Sequence, residues 1–288
     1  MTVFKHLVIL LFIVRVHAAG NDWMRDLDGK LRLSELSIPG THDAGATLEP
    51  LPGTARCQSL SIAGQLAAGV RFLDIRCRHV KDSFSIYHGP IDQKLTFAEV
   101  IEALQVFLTA NPGECVIMSV NEESTASGNS RDFGKTFASY IARNPSLWIL
   151  GEDIPTLAEA RGKIVLFRRF RSSEKLGIDA SRWPDSFTFT SGKIRVQDRY
   201  KVTDNDSKWA AFTEFLNETP KSDLLSINFA SGVRSDFGLP DITAVSNDIN
   251  ARITRHFTDH KIGRAGVIVM DFADAARCAL IYQTSLRQ

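Results

Sequence analysis

The 288-residue chain predicts an α/β fold, a closed parallel (β/α)8 barrel of the TIM type in a single domain. Three observations predict it. Eight short runs rich in Val, Ile, Leu and Phe recur along the chain, and amphipathic stretches fall between most of them. The length is near the roughly 250 residues usual for one such barrel. An open doubly wound sheet is the other arrangement this alternation allows. No Gly-x-Gly-x-x-Gly turn follows any of the runs, which weighs against a dinucleotide-binding version of it.

Residues 1–18 are expected to lie outside the barrel. Lys5 and His6 precede an apolar run, Leu7 to Val14, too short to cross a bilayer, and Val16 and Ala18 are small residues placed for cleavage near Ala18. Arg15 is out of pattern. The reading is a secretory signal, a barrel over residues 19–288 and an extracellular location. The strands expected are Leu36–Pro39, Val70–Arg76, Phe84–His88, Cys115–Asn121, Lys163–Phe170, Ile194–Tyr200, Leu224–Phe229 and Gly266–Phe272. Between them, helices are expected over Ser61–Ala68, Phe97–Ala110, Phe133–Arg143, Lys208–Leu216, Ile242–Phe257 and Cys278–Leu286. Asn111-Pro112-Gly113 stops the second, and Asp241 is an N-cap for the fifth.

Composition removes several function classes. With 34 Lys+Arg against 33 Asp+Glu, the net charge is +1, which offers no bulk attraction for nucleic acid. Cys57, Cys77, Cys115 and Cys278 show no zinc-site spacing; export permits disulfides, and at most one is expected. Cys77 and Cys115 lie in apolar runs, as buried thiols do. The chain carries no Walker phosphate loop and no Gly-x-Ser-x-Gly nucleophile turn.

Chemistry gathers where the strands turn polar. The first runs into Thr41-His42-Asp43, the second ends in Asp74-Ile75-Arg76, the third in His88 and the fourth in Asn121-Glu122. The fifth carries Arg168-Arg169, the sixth Asp198 and Tyr200, and the eighth ends at Asp271. In a barrel the C-terminal strand ends build the active site. Each group also has a plainer role: Asp74 and Arg76 share a strand face and can be a buried ion pair, and His42 and His88 can be loop histidines. Arg168 and Arg169 point to opposite faces, so one of them is expected to be solvated. Their joint placement favours function. Two histidines can divide base and acid work near neutral pH, and an arginine fork can neutralise phosphate. That set suits cleavage of a phosphodiester by a neighbouring hydroxyl, and it needs neither metal nor other cofactor.

The segments Leu36-Ser-Ile-Pro-Gly-Thr-His-Asp-Ala-Gly45, Val70-Arg-Phe-Leu-Asp-Ile-Arg76 and Tyr87-His-Gly-Pro90 resemble the bacterial phosphatidylinositol-specific phospholipase C family. So do Asn111-Pro-Gly-Glu-Cys-Val-Ile-Met-Ser119, Ala160-Arg-Gly-Lys-Ile-Val-Leu-Phe167 and Val196-Gln-Asp-Arg-Tyr-Lys201. The resemblance runs from about Trp23 to Tyr282. It implies a distorted, incompletely closed (β/α)8 barrel that cleaves phosphatidylinositol to diacylglycerol and inositol 1,2-cyclic phosphate. By matching position, His42 would be the general base, oriented by Asp271, and His88 the general acid, assisted by Asp43. Arg76 would bind the phosphate with Asp74 in support. Arg169 and Asp198 would hydrogen-bond inositol hydroxyls, and Tyr200 would stack on the ring. The calcium-dependent branch of the superfamily has a carboxylate where Arg76 stands, so the metal-independent branch is implied. The partner implied is a phospholipid at a membrane surface, with no obligatory protein partner and a monomeric enzyme.

This chain also departs from the family. A lysine near the inositol is replaced by Asn121, which puts head-group choice in question. The family's rim tryptophans are missing from residues 47–59 and from the loop Ser231 to Pro240, which offers Phe237 and Leu239. Weak membrane docking, or a more soluble substrate, is expected. A non-catalytic inositol-phosphate or lipid-binding protein on this scaffold, and a phosphodiesterase for another hydroxyl-bearing lipid, are the competing readings.

Overall fold

Alternation with a period of two decides which side chains this chain turns inward. The structure, a computed structural model, describes residues 22–236 and 238–286. The expected export signal and Phe237 lie outside them. The strands are β1 (Ser37–Thr41), β2 (Phe72–Val80), β3 (Ser83–His88), β4 (Ile91–Thr96), β5 (Val116–Glu122), β6 (Trp148–Ile149) and β7 (Ile164–Arg169). They continue with β8 (Ile178–Asp179), β9 (Thr188–Ser191), β10 (Ile194–Gln197), β11 (Leu225–Phe229), β12 (Arg234–Asp236), β13 (Leu239–Asp241) and β14 (Gly266–Met270). On β2, β5, β7 and β14 the residues Phe72, Ile117, Val165, Phe167, Val267 and Val269 join the interior cluster. Their neighbours Leu73, Ile75, Met118, Val120, Leu166, Ile268 and Met270 join the layer under the helices.

The sheet follows the order β6-β7-β5-β2-β1-β14-β11-β10, every neighbouring pair parallel, with β9 antiparallel at the end. β8 lies beside β7, further along than β6. No backbone ladder joins the β6 and β8 edge to β9 among the described residues, so the barrel has a seam. Trp183 fills it, packing edge-on against Phe167 of β7, Phe189 of β9 and Phe229 of β11.

Helices α1 (Ile62–Ala67), α2 (Phe97–Ala110), α3 (Phe133–Ile141), α4 (Leu157–Ala160), α5 (Asn205–Glu218), α6 (Thr243–Asp259) and α7 (Ala275–Leu286) complete the fold. Ser61, Thr96, Asp132, Thr156 and Asp204 cap the first five through side-chain oxygens, each worth about 1 kcal/mol. Asp241 accepts from the Ala244 amide in the first turn of α6.

Three sequence expectations need correction. The third expected strand is not a parallel barrel strand: β3 pairs antiparallel with β2 and β4. The eighth parallel strand is instead the two-residue β6, too short to leave a pattern. The second strand does not end at Arg76 but runs on to Val80, because the hairpin extends its ladder. Neither Arg168 nor Arg169 is solvated. Arg168 turns outward into carbonyls, donating to Leu176 O and Phe170 O, and pairs with Asp179. All four cysteines are buried free thiols.

The barrel floor is closed by the segment around Trp23 and Leu33, which joins the interior cluster. There Arg71, just before β2, meets Glu114, just before β5, at 2.8 Å with both side chains wholly enclosed. At the opposite end the strands open into a cleft of about 740 Å³.

Candidate active site

Register sets the first layer of the site. Arg76 pairs with Asn121, and Asn121 with Arg169, so three inward side chains from β2, β5 and β7 stand level. One layer below, Asp74 is level with Ser119. On the other side of β2, Thr41 pairs with Met270, which brings the next residues, His42 and Asp271, together. Gln58 holds that junction by donating to both His42 O and Met270 O.

The tautomer of His42 follows from its partners. A guanidinium can only donate, and Arg76 Nη2 lies 2.9 Å from His42 Nε2. The ring proton is therefore on Nδ1, which donates to Asp271 Oδ1 at 2.8 Å. Burial lowers the His42 pKa and Arg76 lowers it further, but the Asp271 carboxylate outweighs both, and the value rises above the usual 6.5.

The antiparallel hairpin returns His88 to the same mouth. His88 Nδ1 lies 2.6 Å from Ala55 O, and a carbonyl can only accept, so Nδ1 carries a proton. Its Nε2 faces Asp43 Oδ2 at 3.8 Å. The His42 and His88 rings are 6.5 Å apart, nearly perpendicular. Asp43, at a φ of 40° that Asp tolerates better than most residues, is fully buried. Neither of its carboxylate oxygens has a hydrogen-bond partner, and burial pushes its pKa up despite Arg76 and His88 nearby.

Beneath them, Asp74 is the hub. It accepts from Arg76 Nε at 3.2 Å, Arg169 Nη1 at 3.1 Å, the Asp43 amide and Ser119 Oγ at 3.3 Å. Burial would raise its pKa, yet the two guanidiniums hold it at about 2. Burial also works against the charge on Arg76, but Asp74, Asp43 and Glu123 raise its pKa well above normal, so it stays cationic.

The wider end of the cleft is built on Trp183. The Arg169 guanidinium lies 3.9 Å over its ring, and its Nε1 donates to Asp198 Oδ2 at 2.9 Å. Tyr200 OH donates to Asp185 Oδ1 at 2.5 Å, which fixes its ring beside the cleft. Asn121 lines the same wall.

All ten residues singled out from the sequence thus gather here. His42, Arg76, His88, Asn121, Arg169, Asp198 and Tyr200 line the cleft, while Asp43, Asp74 and Asp271 are buried behind it. Sequence reading missed Glu123, Trp183, Asp185 and Gln58. Glu123 accepts from the Gly89 amide and lies 3.8 Å from Arg76. Its place two residues after Asn121 was the available signal. Chemically, the cleft offers one imidazole with a free lone pair shared only with a guanidinium, a second beside a carboxylate, and an arginine between them. Two groups of three possible metal ligands occur among the described residues, His42–Cys57–Asp271 and Asp43–Cys57–His88.

The comparisons with known proteins agree in one direction. The family profile for the phosphatidylinositol-specific phospholipase C X domain matches residues 33–170. The chain is 30% identical over 275 residues to a 1-phosphatidylinositol phosphodiesterase of Staphylococcus aureus, covering 88% of each. It is 29% identical to that of Listeria monocytogenes over 263 residues, covering 88% of this chain and 81% of the relative. A solved structure of the S. aureus phosphatidylinositol-specific phospholipase C, concerned with modulation of its membrane binding, superposes with a TM-score of 0.80 at 27% identity. It covers 92% of this chain and 97% of that one.

Proposed function

This chain belongs to the phosphatidylinositol-specific phospholipase C family, and we propose that it cleaves phosphatidylinositol to diacylglycerol and inositol 1,2-cyclic phosphate without a metal cofactor. The observation that carries the reading is the convergence of His42, Arg76 and His88 on one cleft, with Asp271 behind the first histidine and Asp43 behind the second. His42 Nε2 takes the proton of the inositol 2-hydroxyl while Asp271 holds Nδ1–H and stabilises the imidazolium formed. Arg76 moves its Nη2 donor from His42 to the phosphate and offsets the charge that builds there. His88, protonated on both nitrogens, gives its Nε2 proton to the departing diacylglycerol oxygen. Asp74, ionised down to about pH 2, keeps Arg76 and Arg169 aimed into the cleft. Arg169, Asp198 and Asn121 face the inositol hydroxyls, and Tyr200 flanks the ring.

Phosphorus NMR of the product, with and without EDTA, tests this. A cyclic phosphate formed equally in both is expected; a linear monophosphate as first product, or loss of turnover with chelator, counts against it. Asn121 favours a second reading, in which a head group other than plain inositol, including a glycosylated anchor or another hydroxyl-bearing lipid, is the better substrate. A lipid panel ranked by turnover separates the two, and no turnover on any lipid or soluble inositol phosphodiester would leave a binding protein.

Membrane contact would be made by aliphatic side chains. Leu48 and Leu51, on the loop that contributes Thr54 to the cleft wall, and Leu239, beside the cleft-lining Pro240 on β13, are exposed. Without a tryptophan there, docking should be weak. No helix among the described residues is long and apolar enough to cross a membrane. Export with cleavage near Ala18, and action as a monomer, complete the proposal. N-terminal sequencing of protein from the culture medium should begin near residue 19.

A further inference from the structure

Cys57 is a nucleophile that the reaction above leaves idle. It is fully buried, yet its Sγ lies 3.9 Å from His88 Nδ1, on the segment whose Ala55 carbonyl holds that ring. One ligand atom each from Asp43, Cys57 and His88 fall within 4.8 Å of one another. Three further observations point to what they would take. Both Asp43 oxygens are enclosed without a hydrogen-bond partner. With Nδ1–H given to Ala55 O, His88 presents Nε2 to Asp43 Oδ2 at 3.8 Å, too far for a hydrogen bond. A ring whose other N–H is held by a backbone carbonyl is also how metal-ligating imidazoles are oriented. Charge agrees. The four carboxylates around Arg76 and the two imidazoles (Asp43, Asp74, Asp271, Glu123) face two guanidiniums (Arg76, Arg169) and the buried Lys208 ammonium, an excess of one negative charge when all are ionised.

We infer that Asp43, Cys57 and His88 form a site for one thiophilic divalent cation of the zinc class, which takes the place of the proton on His88 Nε2 and so inhibits the enzyme. The donor set of one sulfur, one nitrogen and one oxygen suits zinc, whereas magnesium and calcium seek oxygen alone. Binding breaks the Cys57 S–H and His88 Nε2–H bonds and forms S–metal and N–metal bonds, with both protons passing to buffer and no change of oxidation state. The alternative set through His42 is disfavoured, because both its ring nitrogens are already engaged at 2.8 and 2.9 Å.

Binding stands independently of the activity; the inhibition rests on the proposed function. The test uses full-length protein stripped with EDTA, titrated with zinc chloride by calorimetry and by lipid cleavage in parallel, and with cobalt(II) by absorption. One zinc per chain is expected, with cleavage lost in step and restored by EDTA, no effect of calcium or magnesium, and a cobalt–thiolate charge-transfer band. Cys57→Ser should weaken zinc by at least about 100-fold and abolish the band, each rate being normalised to the same variant without metal. Wild-type protein without the band, or C57S binding zinc as tightly as wild type, overturns the site. Binding with full cleavage overturns the inhibition. Normal binding to a protein that never cleaves lipid supports the site and counts against the phospholipase reading instead.

Discussion

Two arginines at opposite ends of the barrel, Arg71 and Arg76, show how differently one chain treats a buried charge. At the floor, Arg71 donates to Glu114 at 2.8 Å and to Leu66 O and Val70 O, and lies 4.5 Å over the Phe107 ring. Glu114 also accepts from the Met24 amide. Charge and hydrogen bonds are met there, although burial still lowers the Arg71 pKa and raises that of Glu114. At the mouth, Arg76 is held by Asp74 and flanked by Asp43, with Asp271 behind His42, and Asp43 and Asp271 keep oxygens without hydrogen-bond partners. A saturated ion pair closes the fold; an unsaturated one is available for chemistry. The difference teaches that burial alone does not mark function, whereas burial combined with unmet acceptors does.

The sharpest way to break this contrast is at the mouth. His42→Ala and His88→Ala should each lower turnover by roughly 10²–10⁴-fold, with unfolding midpoints close to wild type. A variant of either that keeps near-full turnover would sink the acid–base assignment. At the floor the effects should invert. Glu114→Gln leaves Arg71 without its counter-charge and should cost about 3–5 kcal/mol in denaturant unfolding, while kcat and KM of the folded enzyme stay put. A selective loss of turnover would show that the floor is coupled to catalysis.

Asp43→Asn sharpens the comparison on one residue. Its raised pKa in the fold means that the ionised carboxylate costs stability above that value. Asn tolerates the positive φ, so thermal melts should show a gain of about 1 kcal/mol, with turnover reduced about tenfold as His88 loses its charged partner. Destabilisation would refute the reading of Asp43 as an unmet acceptor. The smallest effect is in pH. Because the His42 pKa is raised, kcat/KM should fall on the acid side with a midpoint above 6.5, and Asp271→Asn should move that midpoint down. By linkage, His42 protonation stabilises the fold below pH about 6.5, and this contribution disappears as pH rises through the folded value.

The sequence made the layering legible because a period of two survives in any half-buried strand, so Asp74 and Arg76 could be placed on one face. Strand direction was not legible: the apolar run of β3 reads the same in a hairpin as in a barrel. Register was equally hidden, so nothing in the chain showed that Arg76, Asn121 and Arg169 stand level. Arg168 was misjudged because its partners are carbonyls of Leu176 and Phe170, and backbone acceptors carry no sequence signature. Trp183 lay in an irregular stretch without periodicity, although it organises the wide end of the cleft. Cys57 drew no attention for the same reason.

Trp183 also gives the seam a second consequence. Elsewhere the wall is stitched by amide-to-carbonyl ladders, but between β7 and β9 the Trp183 indole packs across the gap while also touching Arg169 and Asp198. The groups proposed to face the head group therefore share their anchor with the cylinder's seam. Any mutation that retunes sugar preference through them also alters how tightly the cylinder is clasped, so selectivity and stiffness in this protein must evolve together.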